Sequence, residues 1–239
     1  MIVILLYLKL IRLTMERLLS NLKISINEKC YLKDPESSDL GKRIVENSIL
    51  LIDVIGFDNF TFKKLGLQIG SNESSVYRYF ESKHKLLLYL TSWYWSWLEY
   101  QLVFSTHSIP TPKLKLEIAI SILTQNTVLD SNFSHINEVV LKRIVINEYS
   151  KSYLTKEVDN ENKEGYFSTF KRLVTRLKDM IVLVDHNYKY PFSLASTVID
   201  GALHMQFIKD HFTSISDKTI NSEPTAYYKD LVFNTLNIK

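Results

Sequence analysis

Apolar residues recur at intervals of three and four positions along most of this sequence, and that spacing constrains the fold more than any other feature. Three stripes show it most clearly: Leu40, Ile44, Leu51, Ile52 and Ile55; Leu86, Leu90, Trp93, Trp97, Tyr100 and Phe104; and Tyr166, Phe170, Leu173, Leu177, Ile181 and Val184. Such stripes form one face of a helix. Only six glycines and five prolines occur in 239 residues, and strand-like alternation is rare and short. The sequence therefore predicts an all-α fold with about nine helices.

The first residues and the cysteine content bear on where the chain acts. The apolar run 1–7 is soon interrupted by Lys9 and is much shorter than the roughly 20 residues of a membrane span. It also lacks the preceding charges and the following cleavage site of a signal peptide. The single cysteine, Cys30, excludes a disulfide framework within one chain and fits a structural residue in a reducing cytoplasm. Because Met15 offers an alternative start, residues 1–14 are either an accessory helical extension or no part of the protein.

Residues 61–83 predict two short helices joined by a tight turn. Thr61 can cap the first helix, in which Phe62, Leu65 and Ile69 share one face, and Gly70 ends it. Asn72 can cap the second helix, over 73–80, and Ser82 can cap a third that opens at Lys83. On the second helix Val76 and Phe80 point inward, and the outward residues are those that a core does not need: Glu73, Ser74, Tyr77 and Arg78. This pattern is typical of a helix-turn-helix with its recognition helix, although an ordinary surface hairpin of helices has the same spacing.

The residues of this region resemble the DNA-reading part of the tetracycline-repressor (TetR) family. The match is carried by Gly56-Phe57, by TFKKLGLQIG over 61–70 and by SSVYRYFESK over 74–83, and it covers about 50 residues, roughly 40–90. The resemblance implies an N-terminal three-helix DNA-binding bundle followed by a C-terminal bundle that binds ligand and dimerises. It also implies a cytoplasmic transcriptional regulator, most commonly a repressor that a small molecule releases from a palindromic operator in double-stranded DNA. No enzymatic activity and no cofactor are implied.

The resemblance assigns roles to individual positions. Thr61 and Lys83 correspond to phosphate contacts, Lys63 to a position that can reach a base edge, and Tyr77 and Tyr79 to aromatic contacts with DNA. The full predicted DNA-binding set is Thr61, Lys63, Asn72, Glu73, Ser74, Ser75, Tyr77, Arg78, Tyr79 and Lys83. Between positions 61 and 85, five cations stand against two carboxylates, so this stretch carries the same net charge, +3, as the whole chain.

Three positions in this module leave a question open or depart from the family pattern. Glu73 either accepts a hydrogen bond from a cytosine amino group or stabilises the helix dipole. Gly66 stands where the family usually has alanine, and Ser71 where a small aliphatic residue is usual. We expect both departures to weaken local packing, glycine by up to about 1 kcal/mol relative to alanine in a helix.

The C-terminal part predicts a dimerisation surface. A helix from Pro191 to Phe212 is apolar on two faces. One face can pack on the rest of the chain, and the other must then be buried against a second surface. Ala195, Gly201 and Ala202 would allow close approach of a partner helix. Together with a helix over 166–184, this predicts a homodimer through a four-helix interface; complete burial within one chain is the alternative. The predicted domains are an N-terminal extension (1–38), the DNA-binding domain (39–90) and an effector-binding and dimerisation domain (91–239).

Other candidate sites are weaker. The aromatic stripe that includes Trp93, Trp97 and Tyr100 fits a core better than a ligand pocket, although a small apolar effector can bind if a cavity exists. Asp200, His204 and His211 share a helix face, but the two histidines are two turns apart, so we predict no metal site. No P-loop, dinucleotide glycine motif, HExxH or GxSxG occurs. The alternative functions are an all-α enzyme or metal-binding protein, and a helical adapter without operator binding.

Overall fold

The computed structural model describes residues 24–130, 132–217 and 224–238, which form helices and no strand. Their α-helices are α1 (Asp39–Asn59), α2 (Phe62–Gln68), α3 (Glu73–Tyr77), α4 (Lys83–Thr106), α5 (Pro112–Thr124), α6 (Glu138–Asn147), α7 (Tyr149–Tyr153), α8 (Val158–Lys163), α9 (Ser168–Val184), α10 (Pro191–His211) and α11 (Pro224–Thr235). Three short 3-10 segments lie at Glu28–Cys30, Pro35–Ser37 and Thr213–Ile215. The all-α prediction is confirmed. The predicted extension over 1–14 lies outside the described residues.

The eleven α-helices of the described residues exceed the prediction of about nine, because the region between 138 and 163 contains three short helices. Gly56 interrupts α1: its φ of 73° and ψ of 156° are not helical, and the chain then completes one more turn to Asn59. The N-terminal end of α1 is capped by Ser38, whose hydroxyl accepts a hydrogen bond from the Gly41 amide at 3.1 Å.

Helix α4 forms the centre of the molecule and joins the small N-terminal bundle to the larger C-terminal one. Almost every residue from Leu86 to Leu98 is buried, so its tryptophans and tyrosines lie mainly in the core, as their spacing predicts. Helices α5, α6 and α9 pack against it. Helices α9 and α10 form an antiparallel pair, and α11 lies against α5 and α10. No helix in the described part of the chain is long and apolar enough to span a membrane.

Helix α10 differs from its prediction. Its buried residues come from both of the predicted faces and merge into one face that packs within the chain: Leu194, Ala195, Val198, Ile199, Ala202 and Leu203. Gly201 does not offer an approach to a partner helix, because an added Cβ there would lie 2.1 Å from the hydroxyl of Tyr228 on α11. The apolar residues left open are Phe192 at the start of α10 and Phe212 just after its end.

The segment 24–38 contacts both bundles. Its Leu32 amide donates to the Tyr79 carbonyl at 2.7 Å, and Asn27 donates to the Glu164 carbonyl at 3.1 Å. Cys30 is fully buried, and burial raises the pKa of its thiol to about 12, which keeps it protonated and unreactive. The structural role predicted for this cysteine therefore has a physical basis.

Candidate nucleic-acid interface

Helices α2 and α3 are connected by a turn that depends on two glycines. The Thr61 hydroxyl accepts a hydrogen bond from the Lys64 amide at 3.2 Å, which caps α2 as predicted. Gly70 has a φ of 65°, a conformation that favours glycine. A Cβ on Gly66 would lie only 3.0 Å from the Ser71 carbonyl oxygen. Glycine at position 66 therefore gives the turn room to approach α2, and alanine would require the turn to shift slightly; this close approach opposes the expected loss from glycine's low helix propensity.

Helix α3 is short, and one side chain organises its start. Asn72 Oδ1 accepts hydrogen bonds from the Ser75 amide at 2.9 Å, the Ser74 hydroxyl at 2.8 Å and the Ser75 hydroxyl at 2.7 Å. These three donors converge on one oxygen and fix the orientation of both serines. The helix ends at Tyr77 rather than at Phe80 as predicted, because the amides of Tyr79 and Phe80 both donate to the Val76 carbonyl and close a tighter turn.

A compact apolar core holds the two helices together. The residues predicted to point inward are all buried: Phe62, Leu65, Ile69, Val76 and Phe80. Tyr77 is 47% exposed, and its ring packs edge-on against Phe62 with centroids 4.9 Å apart. That contact holds the Tyr77 ring against the core while much of the side chain stays exposed. Thr61, Lys63, Asn72, Ser74 and Arg78 are also exposed, whereas Glu73 and Ser75 are half-buried. Eight of the ten predicted contact residues therefore lie at or near this one surface.

Tyr79 lies elsewhere. It is only 3% exposed, its hydroxyl shares a hydrogen bond of 2.7 Å with the Ser38 hydroxyl, and Lys33 lies 5.1 Å above its ring. The hydrogen bond from Ser38 is the main cause that lowers the Tyr79 pKa. In this arrangement Tyr79 connects the start of α1 with the end of the module, a contact that its position in the sequence did not indicate.

Lys83 also has partners within the chain. Its Nζ donates to the carbonyl oxygens of Phe57 at 3.0 Å, Asp58 at 3.1 Å and Phe60 at 3.3 Å. These carbonyls lie at the end of α1, after the break at Gly56, and the Phe57 carbonyl also accepts a hydrogen bond from the Phe60 amide at 3.2 Å. A lysine ammonium is well suited to the carbonyl groups at a helix C-terminus. Ser82 caps α4 through the Lys85 amide as predicted. The carbonyl contacts of Lys83 were not foreseen, since they join residues more than 20 positions apart.

Two side chains that hold the other side of Phe57 and Asp58 were not predicted from the sequence: Glu148, between α6 and α7, and Lys151 on α7. Glu148 Oε1 accepts a hydrogen bond from the Phe57 amide at 3.1 Å. Lys151 Nζ lies 2.8 Å from Asp58 Oδ2 and 2.7 Å from Glu148 Oε2. The C-terminal bundle therefore contacts the segment that leads into the helix-turn-helix, which Lys83 also holds.

Two cavities lie in the C-terminal bundle. One of about 290 Å³ lies between α4, α5 and residues 125–130 and 132, and the stripe residues Tyr94, Trp97 and Tyr100 help to line it. The other, of about 350 Å³, lies between α6, α7 and α10. The part of the chain that the structure describes contains no group of three or more His, Cys, Asp or Glu side chains placed to hold a metal ion.

Comparisons with known proteins agree with this geometry. Residues 44–90 match the model of the family described as bacterial regulatory proteins, tetR family. The resemblance predicted from the sequence is therefore confirmed for the stretch that contains most of α1, the helix-turn-helix and the start of α4. No curated protein matches the sequence.

Solved structures confirm the predicted architecture. AibR in complex with isovaleryl coenzyme A and operator DNA has a TM-score of 0.53 at 14% identity, and the match covers 81% of this chain and 97% of AibR. The superantigen PfiT has a TM-score of 0.54 at 14% identity, covering 86% of this chain and 97% of PfiT. At such low identity these similarities establish the fold alone.

Proposed function

We propose that this chain, whose residues 44–90 carry the tetR-family module, is a sequence-specific DNA-binding transcriptional regulator, a repressor that a small effector releases from its operator. The observation that carries the proposal is the helix-turn-helix itself: a buried apolar core beneath an outer surface of hydrogen-bonding side chains. A helical adapter would not need the exposed cations Lys63 and Arg78 on that surface.

The contact surface has two kinds of residues in this proposal. Lys63, Tyr77, Arg78 and the exposed start of α3 face the DNA, and the Asn72 cap gives α3 a defined direction in the major groove. Lys83 and Tyr79 act differently, because the Lys83 ammonium and the Tyr79 hydroxyl already have partners in the protein. Lys83 can add a phosphate contact from the start of α4, but its carbonyl contacts also hold the module together.

The assembly and the effector are part of the same proposal. The exposed ends of the α9–α10 pair support a homodimer, and a twofold dimer would read a palindromic operator. AibR was solved with an acyl-coenzyme A and operator DNA, which supports a similar pairing of DNA and small ligand here. The boundaries 39–90 for DNA binding and 91–239 for effector binding and dimerisation fit the position of α4. We also place the protein in the cytoplasm, where a DNA-binding protein of this family acts.

Titration of DNA tests the proposal. The full chain is titrated against the DNA upstream of its own gene and against a scrambled duplex, at several salt concentrations. Wild-type protein should prefer the upstream DNA. Lys63→Ala should lose about 1–3 kcal/mol of that preference if Lys63 contacts a base edge. Lys83→Ala should weaken binding to both duplexes and lower the melting temperature as well. Lys115→Ala, a half-buried lysine on α5, which does not pack on α2 or α3, is the control and should change neither.

Two results would contradict the proposal. Equal affinity of the wild-type chain for both duplexes would remove sequence-specific recognition. Unchanged affinity in Lys63→Ala, together with unchanged affinity in Arg78→Ala, would show that the outer surface of α2 and α3 does not face DNA. If Lys63→Ala instead weakens both duplexes equally, Lys63 binds a phosphate, and the slope of log affinity against log salt should become shallower by about 0.9 for each phosphate that is no longer bound.

A further inference from the structure

The cavity of about 350 Å³ between α6, α7 and α10 combines an apolar wall with one acidic group. Ile146, Leu203 and Phe207 supply apolar surface, and Tyr149 adds a second aromatic ring. Asp200 lies among them on α10. The remaining lining residues are polar: Asn147, Ser150 and His204. Most binding cavities for small organic molecules have this composition, with apolar walls and a few polar groups that fix the orientation.

The Asp200 carboxylate lacks a compensating positive charge from the described residues. Its carboxylate accepts a hydrogen bond from the Tyr149 hydroxyl at 3.3 Å, and within the described residues it has no salt-bridge partner. Burial raises its pKa, which reflects the loss of water around a carboxylate that no lysine or arginine compensates. A ligand cation in the cavity would supply the missing charge, and the rings of Tyr149 and Phe207 would favour it further.

The cavity adjoins the contact between the two bundles. Asn147 and Tyr149 both line it, and the residue between them is Glu148. Glu148 Oε1 accepts the hydrogen bond from the Phe57 amide, which the break at Gly56 has removed from the helical pattern of α1. Lys83 binds the carbonyls of the same segment, 57–60, and opens the helix that follows the module. A change in the backbone at 147–149 can therefore reach the segment that leads into the helix-turn-helix through Glu148, beside the ion pairs Arg143–Asp53 and Lys151–Asp58.

We propose that this cavity binds a small organic cation with an apolar body, held by Asp200 and the two aromatic rings, and that its occupancy is transmitted to the helix-turn-helix through Glu148. The regulatory half of this inference rests on the proposed function. The binding half does not, since it depends only on the cavity and its carboxylate.

Calorimetry with benzyltrimethylammonium tests the binding half on the full chain. This probe joins a quaternary ammonium to one aromatic ring, and phenylacetate provides an anion of similar size. We expect binding of the cation and none of the anion. Asp200→Asn should weaken cation binding at least about tenfold, whereas Asp179→Asn, an exposed aspartate on α9, should leave it unchanged. Sedimentation and melting of each variant distinguish loss of the site from loss of fold or assembly.

The binding half is overturned if the wild-type chain does not bind the cation, or if it binds phenylacetate equally well. It is also overturned if a folded Asp200→Asn protein binds the cation as tightly as the wild type. Should Asp200→Asn fail to fold, Phe207→Leu keeps the apolar volume but removes the ring, and it should also weaken the binding of the cation.

Hydrogen exchange at residues 57–60 tests the transmission. The cation should change the exchange rate of the Phe57 amide in the wild type. In Glu148→Ala it should bind as before but leave that rate unchanged, and Glu148→Gln, which retains an acceptor oxygen, should restore part of the response. An unchanged rate in the wild type, with the cavity saturated, overturns the transmission. If the cation binds and alters exchange but the chain binds no DNA, the inference stands and the proposed function fails.

Discussion

Helix α3 is five residues long and begins with a side-chain cap, whereas helix α10 has 21 residues and no side-chain cap. Helix α3 buries one residue, Val76, and presents polar groups outward. Helix α10 buries six residues and exposes large apolar groups near both of its ends. Local chemistry defines the first helix, since a cap and a turn glycine fix where it begins. The second is defined by its neighbours, because no local signal decides which of its apolar residues face inward.

This difference separates the two kinds of function in the molecule. The DNA-reading surface can be identified from a few adjacent residues, and its geometry depends on hydrogen bonds between positions three apart. The surfaces of the C-terminal bundle depend on contacts between positions tens of residues apart, such as Gly201 with Tyr228. Changes at α3 should therefore have local effects, and changes at α10 should reach the whole bundle or the assembly.

The largest expected effect concerns assembly. Leu183 near the end of α9 and Phe192 at the start of α10 are 53% and 56% exposed. If this end of the helix pair lies in the dimer interface, Leu183→Asp with Phe192→Asp should convert a dimer into a monomer by placing unpaired charges in apolar contact. Sedimentation at micromolar concentration measures the change. Binding to a palindrome should weaken in parallel, while the helix content of the monomer should stay that of the folded protein. A wild-type monomer that binds a palindrome tightly would contradict this prediction.

The next effect distinguishes packing within the chain from packing against a partner. Gly201→Ala places a methyl group 2.1 Å from the Tyr228 hydroxyl oxygen, and overpacking of this kind costs about 1–3 kcal/mol of unfolding free energy. Tyr228→Phe removes that oxygen and leaves the nearest ring carbon at 3.2 Å, so the double variant should recover most of the loss. Urea unfolding of the four proteins measures the coupling. An equal cost of Gly201→Ala with and without the hydroxyl would place Gly201 against a partner helix instead.

The smallest effect is local to α3. Asn72→Ala removes the acceptor for the Ser75 amide and should cost about 1 kcal/mol of stability. Asn72→Ser keeps a capping oxygen and should recover most of it without adding charge near DNA. Hydrogen exchange should increase at 73–77 and stay unchanged in α10. Faster exchange across the C-terminal bundle would show that α3 is less independent than its contacts indicate.

Much of the DNA-reading module could be predicted from the sequence. The caps at Thr61, Asn72 and Ser82, and the break at Gly70, all lie where the sequence placed them. The inward residues of α2 and α3 were also identified. These features were accessible because capping and turn formation depend on the chemical identity of residues within one helical turn.

Only the tertiary structure decided the partners of several side chains, because those partners are distant in the sequence. Lys83 and Tyr79 have the right residue types and spacing for DNA contact. In the folded chain, however, the Lys83 ammonium donates to three carbonyl oxygens, and the Tyr79 hydroxyl shares a hydrogen bond with Ser38. From the sequence, Gly201 could have faced a partner helix. It faces Tyr228 instead, because α11 packs against α10 at this position. Nothing in the sequence near Phe57 identifies Glu148 as the acceptor for its amide. Helical periodicity specifies which residues share a face, but only the packing of the helices specifies what that face meets.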